Sequence, residues 1–344
     1  MSDTTTTKAA AAQRRKRSLS GIKPTGSPHL GNYLGMVVPA IALQETHDAY
    51  YFAADYHALT SVRDPEEMRR STYELTATFL ACGLDPERTA FFRQSDVPEV
   101  CELTWLLSCV ITMGELSLAH AWKARKAEGD EGTALHGLFA YPVLMASDII
   151  IYDSDVVPVG KDQIQHVEMA RDMAKRFNYH FGETFRLPEP LVREEVMTIP
   201  GLDGRKMSKS YDNGIDIFLS KKKLKQRIAQ IVTDSTPLEA PKDPATCNVV
   251  ALYRYFATPE ELAEMEAAYR RGGYGYGHAK MALLEAMDRT LGPLREKYDA
   301  LIANPRYLDE VLAAGADKAR VVAQDVMGRA REKVGYPRTP HAPR

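Results

Sequence analysis

The sequence predicts an α/β fold, a doubly wound and mostly parallel sheet followed by an all-helical region. Three observations predict it. Strand-length apolar runs alternate with helical patterns as far as residue 213. Turns rich in Gly and Pro close several of those runs, and beyond residue 213 only helical periodicity continues. A chain of 344 residues is long enough for about two domains with a cleft between them.

The elements follow in order. Residues 19–22 read as a strand, 23–28 (KPTGSP) as a turn, and a helix begins near His29. Residues 50–55 (YYFAAD) form an apolar run suited to a strand covered on both faces. The run Asp64-Pro65-Glu66-Glu67 starts a helix, because Asp caps the free N–H groups, Pro fits the first turn and carboxylates favour the positive dipole end. Residues 90–93 give a further strand, with helices at 101–113 and 140–151. A strand at 156–159 closes on Gly160, and a helix covers 163–177. The later helices are expected at 221–232, 259–271, 277–302 and 307–334, and Leu224, Ile228 and Ile231 recur at the spacing that buries one helical face. This organisation divides the chain into a disordered basic tail (1–17), an α/β domain (18–214), a helical domain (215–336) and a flexible tail (337–344).

Composition limits the function classes. The 44 Lys and Arg nearly balance the 46 Asp and Glu, so the net charge is -2 and nucleic-acid binding would depend on local patches. Hydrophobic residues at 44% and charged residues at 26% are ordinary for a globular chain. The longest apolar runs fall far short of the roughly 20 residues that span a bilayer, so no membrane partner is expected. Four cysteines, Cys82, Cys101, Cys109 and Cys247, make neither a CxxC pair nor a disulfide framework, which fits a reducing, cytoplasmic location. Zinc is not expected.

Two constellations carry chemistry. In Pro24-Thr25-Gly26-Ser27-Pro28-His29-Leu30-Gly31-Asn32, a strand turns into a helix. Gly26 and Gly31 let the backbone approach a ligand, free N–H groups at a helix start attract phosphate, and His29 and Asn32 stand three apart on one side of the turn. The same segment also reads as a plain helix cap. In Lys206-Met207-Ser208-Lys209-Ser210, preceded by GLDGR, two lysines and two serines form a mobile donor cluster able to close over a triphosphate. No GxGxxG follows the first strand, which disfavours a dinucleotide-dependent oxidoreductase. Asp148 lies in the apolar run YPVLMASDII, where a carboxylate is costly unless paired, for example with a Lys or Arg at the core edge.

With these motifs in this order, the chain resembles the class I aminoacyl-tRNA synthetases, and within them the bacterial tryptophanyl-tRNA synthetases. The resemblance rests on SGIKPTGSPHLGNYLG (20–35), DYHALT (55–60), MGEL (113–116), YPVLMASDIIIY (141–152), VPVGKDQIQHVEMARDMAKRFN (157–178) and KMSKSYDN (206–213). It is strong from residue 18 to about 235 and weak beyond. It implies a Rossmann-like catalytic domain, a helical domain that reads the tRNA anticodon, and a cytoplasmic homodimer active in protein biosynthesis. The implied reaction is that of a tryptophan–tRNA ligase: tryptophan attacks the α-phosphorus of ATP to give an adenylate, and the acyl group passes to tRNA(Trp). The cofactor expectation is Mg²⁺ carried by the ATP. Some members hold an iron-sulfur cluster on a Cys-rich C-terminal pattern, and with Cys247 alone in the second half none is expected here.

Residue roles follow from the same resemblance. His29, Asn32, Lys206 and Lys209 are the expected catalytic groups. The expected ATP contacts are Lys23, Pro24, Thr25, Gly31, Asn32, Arg125, Gly160, Lys161, Asp162, Gln163, Val196 and the loop residues Lys206, Met207, Ser208, Lys209 and Ser210. The expected tryptophan contacts are Asp148, as acceptor of the indole N–H, with His57, Tyr141, Val143, Met145, Val157 and Gln163. Four positions depart from the family pattern: Leu19 stands where an aromatic is common, Lys23 and Ala121 where Gln is common, and Lys161 where an acid is common. A tyrosine-specific synthetase and a paralogue that charges no tRNA are the competing readings. The cluster Lys221, Lys222, Lys223, Lys225 and Arg227 sits at a helix start, a poor place for cations, and is either solvated or held for RNA phosphate.

Overall fold

The computed structural model describes residues 14–24, 26–129, 131–160, 163–192 and 199–338. The expected contacts Thr25, Lys161, Asp162 and Val196 lie outside the described residues, as does most of each terminal tail. Arg17, counted with the basic tail from its composition, is the first residue of strand β1 (Arg17–Ile22), and Arg14 already pairs with Asp155 at 2.7 Å.

After β1 the chain enters a broken helix: α1 (Leu30–Asn32), a π-helical turn over Tyr33–Val37, and α2 (Val38–Leu43). Such π-turns mark functional sites more often than chance. Then follow β2 (Asp48–Ala53), the short α3 (Asp55–Ala58), α4 (Pro65–Ala81) and β3 (Ala90–Arg93). Asp64 caps α4 by accepting the Glu66 N–H at 2.9 Å, as the run of acids behind a proline predicts. Four helices come next: α5 (Glu99–Ser108), α6 (Met113–Leu116), α7 (His120–Ala127) and α8 (His136–Ile151). The single helix expected over 101–113 is thus two, because Thr112 and Glu115 make a reciprocal capping box that starts a new helix. Strand β4 (Val156–Val159), α9 (Ile164–Phe181) and β5 (Glu189–Val192) complete the α/β layer. β5 was not expected from the sequence.

All five strands are parallel, in the order β3-β2-β1-β4-β5. The order reverses direction between β1 and β4, the switch point at which parallel sheets open a ligand crevice beyond the carboxyl ends of the strands. Here the opening is visible in the register. β1 pairs with β2 from Arg17 through Ile22, yet with β4 only at Ser18 and Val156, so β1 and β4 separate toward their carboxyl ends.

The remaining helices are α10 (Lys221–Ala229), α11 (Asn248–Tyr253), α12 (Pro259–Arg271), α13 (Tyr276–Ile302) and α14 (Pro305–Lys333). Leu224, Ile228 and Ile231 are all buried, in a core shared with Val249, Tyr253, Leu283 and Met287. That core also takes in Leu30 of α1 and Met207 of the lysine loop, so the helical region is packed against both segments expected to meet phosphate. Helix α14 packs elsewhere: Ala316, Ala319, Ala323 and Met327 belong to the sheet core with Phe92, Val100 and Ile149. Among the described residues no helix is long and apolar enough to cross a membrane.

Candidate active site

The carboxyl end of β1 leads into the turn of the first motif. Gly26 has φ +80, a conformation a side chain would strain. His29 is the N-cap of α1: its Nδ1 accepts the Asn32 N–H at 3.2 Å while the Asn32 Oδ1 accepts the His29 N–H at 3.3 Å. The plain helix cap is therefore real, and it is also the device that aims the ring. With Nδ1 accepting, a neutral imidazole carries its proton on Nε2, leaving that N–H to donate outward. Burial, and then the nearby Lys209 ammonium, lower the pKa of His29 and favour the neutral form.

The lysine loop closes on this turn. The Leu30 N–H donates to the Ile215 carbonyl at 2.8 Å and the Ile217 N–H to the Pro28 carbonyl at 3.2 Å, tying the loop's exit to the helix start. The Lys209 ammonium lies 3.9 Å from where a Gly26 side chain would begin. Met207 is buried beneath the loop, whereas Lys206, Lys209 and Ser210 are exposed. Asn213 holds the backbone by accepting the Ser208 N–H at 2.8 Å and donating to the Lys206 carbonyl at 3.2 Å. Arg227, from the basic run on α10, donates to the Gly214 carbonyl at 2.9 Å and to the Asp212 side chain at 2.8 Å. Lys221 pairs with Glu285 and Asp288 at 2.9 and 3.1 Å, so part of that run is neutralised within the protein.

Where β1 and β4 part, a cavity of about 380 Å³ opens, within the size range of small-molecule sites. Leu19 and Gly21 from β1, Phe52 from β2 and Val157 from β4 line it, with Tyr141, Met145 and Asp148 from α8. Asp148 is the buried acid of this wall, 2% exposed. Among the described residues its partners are not a lysine or arginine, the pairing offered from the sequence. Gln94 Nε2 donates to both carboxylate oxygens at 2.8 and 2.9 Å, and His57 Nε2 lies 2.9 Å from Oδ2. A helix turn and a strand end thus supply the hydrogen-bonding groups that hold the carboxylate. Burial raises the Asp148 pKa, with His57 and Gln94 pulling the other way. The Tyr141 ring meets His57 edge-on at 6.3 Å, and the Tyr141 hydroxyl lies 2.8 Å from His166 Nε2.

The structure brings His57, Tyr141, Met145, Asp148, Val157, Gln163 and Lys23 to this one cavity, and Ala121 lines it too. Val143 is elsewhere, 1% exposed in the sheet core. Gly160 directly follows β4, and the Gln163 N–H donates to its carbonyl at 3.0 Å. Arg125 lies in an adjoining chamber of about 580 Å³ that shares Lys23, Thr60 and Leu138 with the first. Gln94 and His166 were missed from the sequence. The position of Gln94, directly after an apolar strand of a parallel sheet, was the available signal, since ligands bind at such ends.

Comparison with known proteins agrees with this geometry. Residues 11–292 match the family described as "tRNA synthetases class I (W and Y)". A tryptophan–tRNA ligase of Fusobacterium nucleatum is 48% identical over 321 residues, covering 93% of this chain and 98% of that protein. One from Pseudomonas aeruginosa is 50% identical, covering 93% of this chain and 73% of its own. The crystal structure of tryptophanyl-tRNA synthetase from Campylobacter jejuni, complexed with ADP and tryptophan, superposes with a TM-score of 0.88 at 48% identity and covers 93% and 99% of the two chains.

Proposed function

The chain belongs to the class I tRNA synthetases for tryptophan and tyrosine, and from that membership we infer that it is an ATP-dependent tryptophan–tRNA ligase. Its reaction has two steps. A tryptophan carboxylate oxygen bonds to the α-phosphorus of ATP as the bond to the bridging oxygen breaks, and pyrophosphate leaves with that electron pair. The acyl group then passes from the adenylate to the tRNA terminus. No covalent enzyme intermediate is required, so the chain's own residues work by positioning and by meeting developing charge.

The observation that carries the choice of tryptophan is the buried Asp148 carboxylate, held by Gln94 and His57 at the wall of an apolar cavity. An indole N–H can add a further bond to such an acceptor, which phenylalanine has no group to make, a difference that discriminates between them. Tyr141, Met145 and Val157 pack the ring, and Gln163 faces the same cavity. His29 and Asn32 take the phosphates at the start of α1, joined by Lys23, Pro24, Gly31, Gly160 and Arg125. Lys206 and Lys209, with Met207, Ser208 and Ser210, close on the pyrophosphate as it departs. Mg²⁺ enters as part of the ATP substrate, bound mainly by phosphate and water. Residues 215–336 are assigned to the anticodon of tRNA(Trp). The enzyme is proposed to work as a cytoplasmic homodimer, a reading that the exposed Trp105 and Met113 of neighbouring helices support.

Amino-acid-dependent ATP–pyrophosphate exchange tests the assignment. Tryptophan alone should drive exchange, and Lys206→Ala should lose about a hundredfold or more in rate, the usual loss for one donor to developing charge. Exchange driven by tyrosine would move the chain to the sister specificity. Silence with all twenty amino acids would remove the activity altogether.

A further inference from the structure

We propose that Lys23 is a catalytic residue of this enzyme, the cation that brings the tryptophan carboxylate and the α-phosphate of ATP together. The proposal rests on the tryptophan-activating reading above and assigns the residue a definite job within it. The first step requires one anion to attack another, and that repulsion must be offset at the point of attack. Position singles out Lys23. It directly follows β1, between the ring cavity and the phosphate turn, and it lines both the ring cavity and the chamber that holds Arg125. Among the described residues that line the ring cavity, it is the one lysine or arginine.

The charge environment points the same way. Among the described residues no carboxylate pairs with Lys23; its ammonium donates only to the Thr60 hydroxyl, at 3.4 Å. An unpaired lysine in a wall that also holds a buried acid is poised for a ligand anion. Partial burial lowers its pKa, which an arriving carboxylate would reverse. Its anchor is shared with ring recognition, because the Thr60 hydroxyl donates to the His57 carbonyl at 2.8 Å and His57 contacts Asp148. One short segment, α3 and the residues after it, therefore sets the distance from the indole acceptor to the carboxylate cation. At this position the resemblance led us to expect glutamine, whose amide could donate hydrogen bonds but bring no charge.

The test compares L-tryptophan with tryptamine, which keeps the indole and the amine and lacks the carboxylate. Affinities are measured by calorimetry for the wild type, Lys23→Met and Lys23→Arg, beside pyrophosphate exchange. Lys23→Met should bind tryptophan about tenfold or more weakly and tryptamine unchanged, and should lose about a hundredfold in exchange rate, with Lys23→Arg retaining part of both. Equal weakening of both ligands, or an unchanged preference for tryptophan, would overturn the role. Lys23 keeps much of its surface in solvent and belongs to no hydrophobic core cluster, so folding is not at stake, and the unchanged tryptamine affinity checks that directly. Failure of the wild type to exchange with tryptophan would instead overturn the functional assignment, so the two failures are distinguishable.

Discussion

Asp148 shows what a single side chain costs and gains. A carboxylate at 2% exposure is tolerated because three hydrogen bonds converge on it, two of them from one amide. Removing Gln94 as Gln94→Leu leaves that charge half-supported, and a hydrogen bond to a charged group contributes roughly 1.5–3 kcal/mol. The variant should therefore lose about that much stability in urea titration and bind tryptophan more weakly, with KM for ATP unchanged. Its pH profile adds a sign. Burial raises the Asp148 pKa, so the ionised acceptor exists above the raised value and tryptophan KM climbs as pH falls through it. Gln94 opposes that rise, so in Gln94→Leu the acid limb should move to higher pH. An unmoved limb would show that the amide does not tune the acid. At this scale Asp148 was legible, because a lone carboxylate in YPVLMASDII is conspicuous, and the segments 24–32 and 206–210 were legible as motifs. Gln94 and His166 were not: one amide after AFFR, or one histidine on an amphipathic helix, carries no spacing that separates it from ordinary polar residues.

Elements are fixed by caps and apolar runs, and most of them could be read. Of the four strands recognised from sequence, β2 and β3 are apolar runs buried nearly throughout, whereas β5 (EPLV) opens with Glu189-Pro190, chemistry that suits an edge strand and hides it from pattern reading. Helix α12 shows a cap that also joins two elements. Thr258 and Glu261 form a capping box, and Arg289 of α13 donates to both Glu261 oxygens at 2.9 and 2.8 Å. Arg289 and the Thr258 N–H pull the Glu261 pKa from 4.5 to about 2. The folded state thus holds this carboxylate ionised where the unfolded chain would protonate it. Its contribution is complete above pH 4.5 and fades as pH falls toward 2. In Glu261→Gln one acceptor oxygen survives, while the second acceptor and the charge are lost. The stability gap between wild type and variant, read from thermal melts, should stay constant above about pH 5 and narrow on further acidification. A gap independent of pH across that window would mean the arginine contact contributes nothing through charge.

The whole molecule is assembled from both ends of its chain, which the sequence did not disclose. The sequence pattern placed a helix over 307–334 but not the surface its apolar face meets, and that face lies on the sheet beside β3 rather than with the helices that precede it. The contact is close: a Cβ at Gly315 would sit 2.0 Å from the Phe91 carbonyl oxygen, in the strand that leads directly to Gln94. Two effects then compete in Gly315→Ala. Alanine is favoured over glycine within a helix by about 1 kcal/mol. Against this, the new methyl meets backbone that cannot rotate away, and overpacking of that kind costs roughly 1–3 kcal/mol or more. The clash should win, giving net destabilisation in urea and a raised tryptophan KM as β3 shifts the carboxylate clamp. Gly277→Ala in the first turn of α13, where nothing lies within 4 Å, supplies the control and should be neutral or slightly stabilising. If both substitutions stabilised the protein alike, α14 would not be seated on β3, and the clamp on Asp148 would be supported by the preceding α/β layer alone.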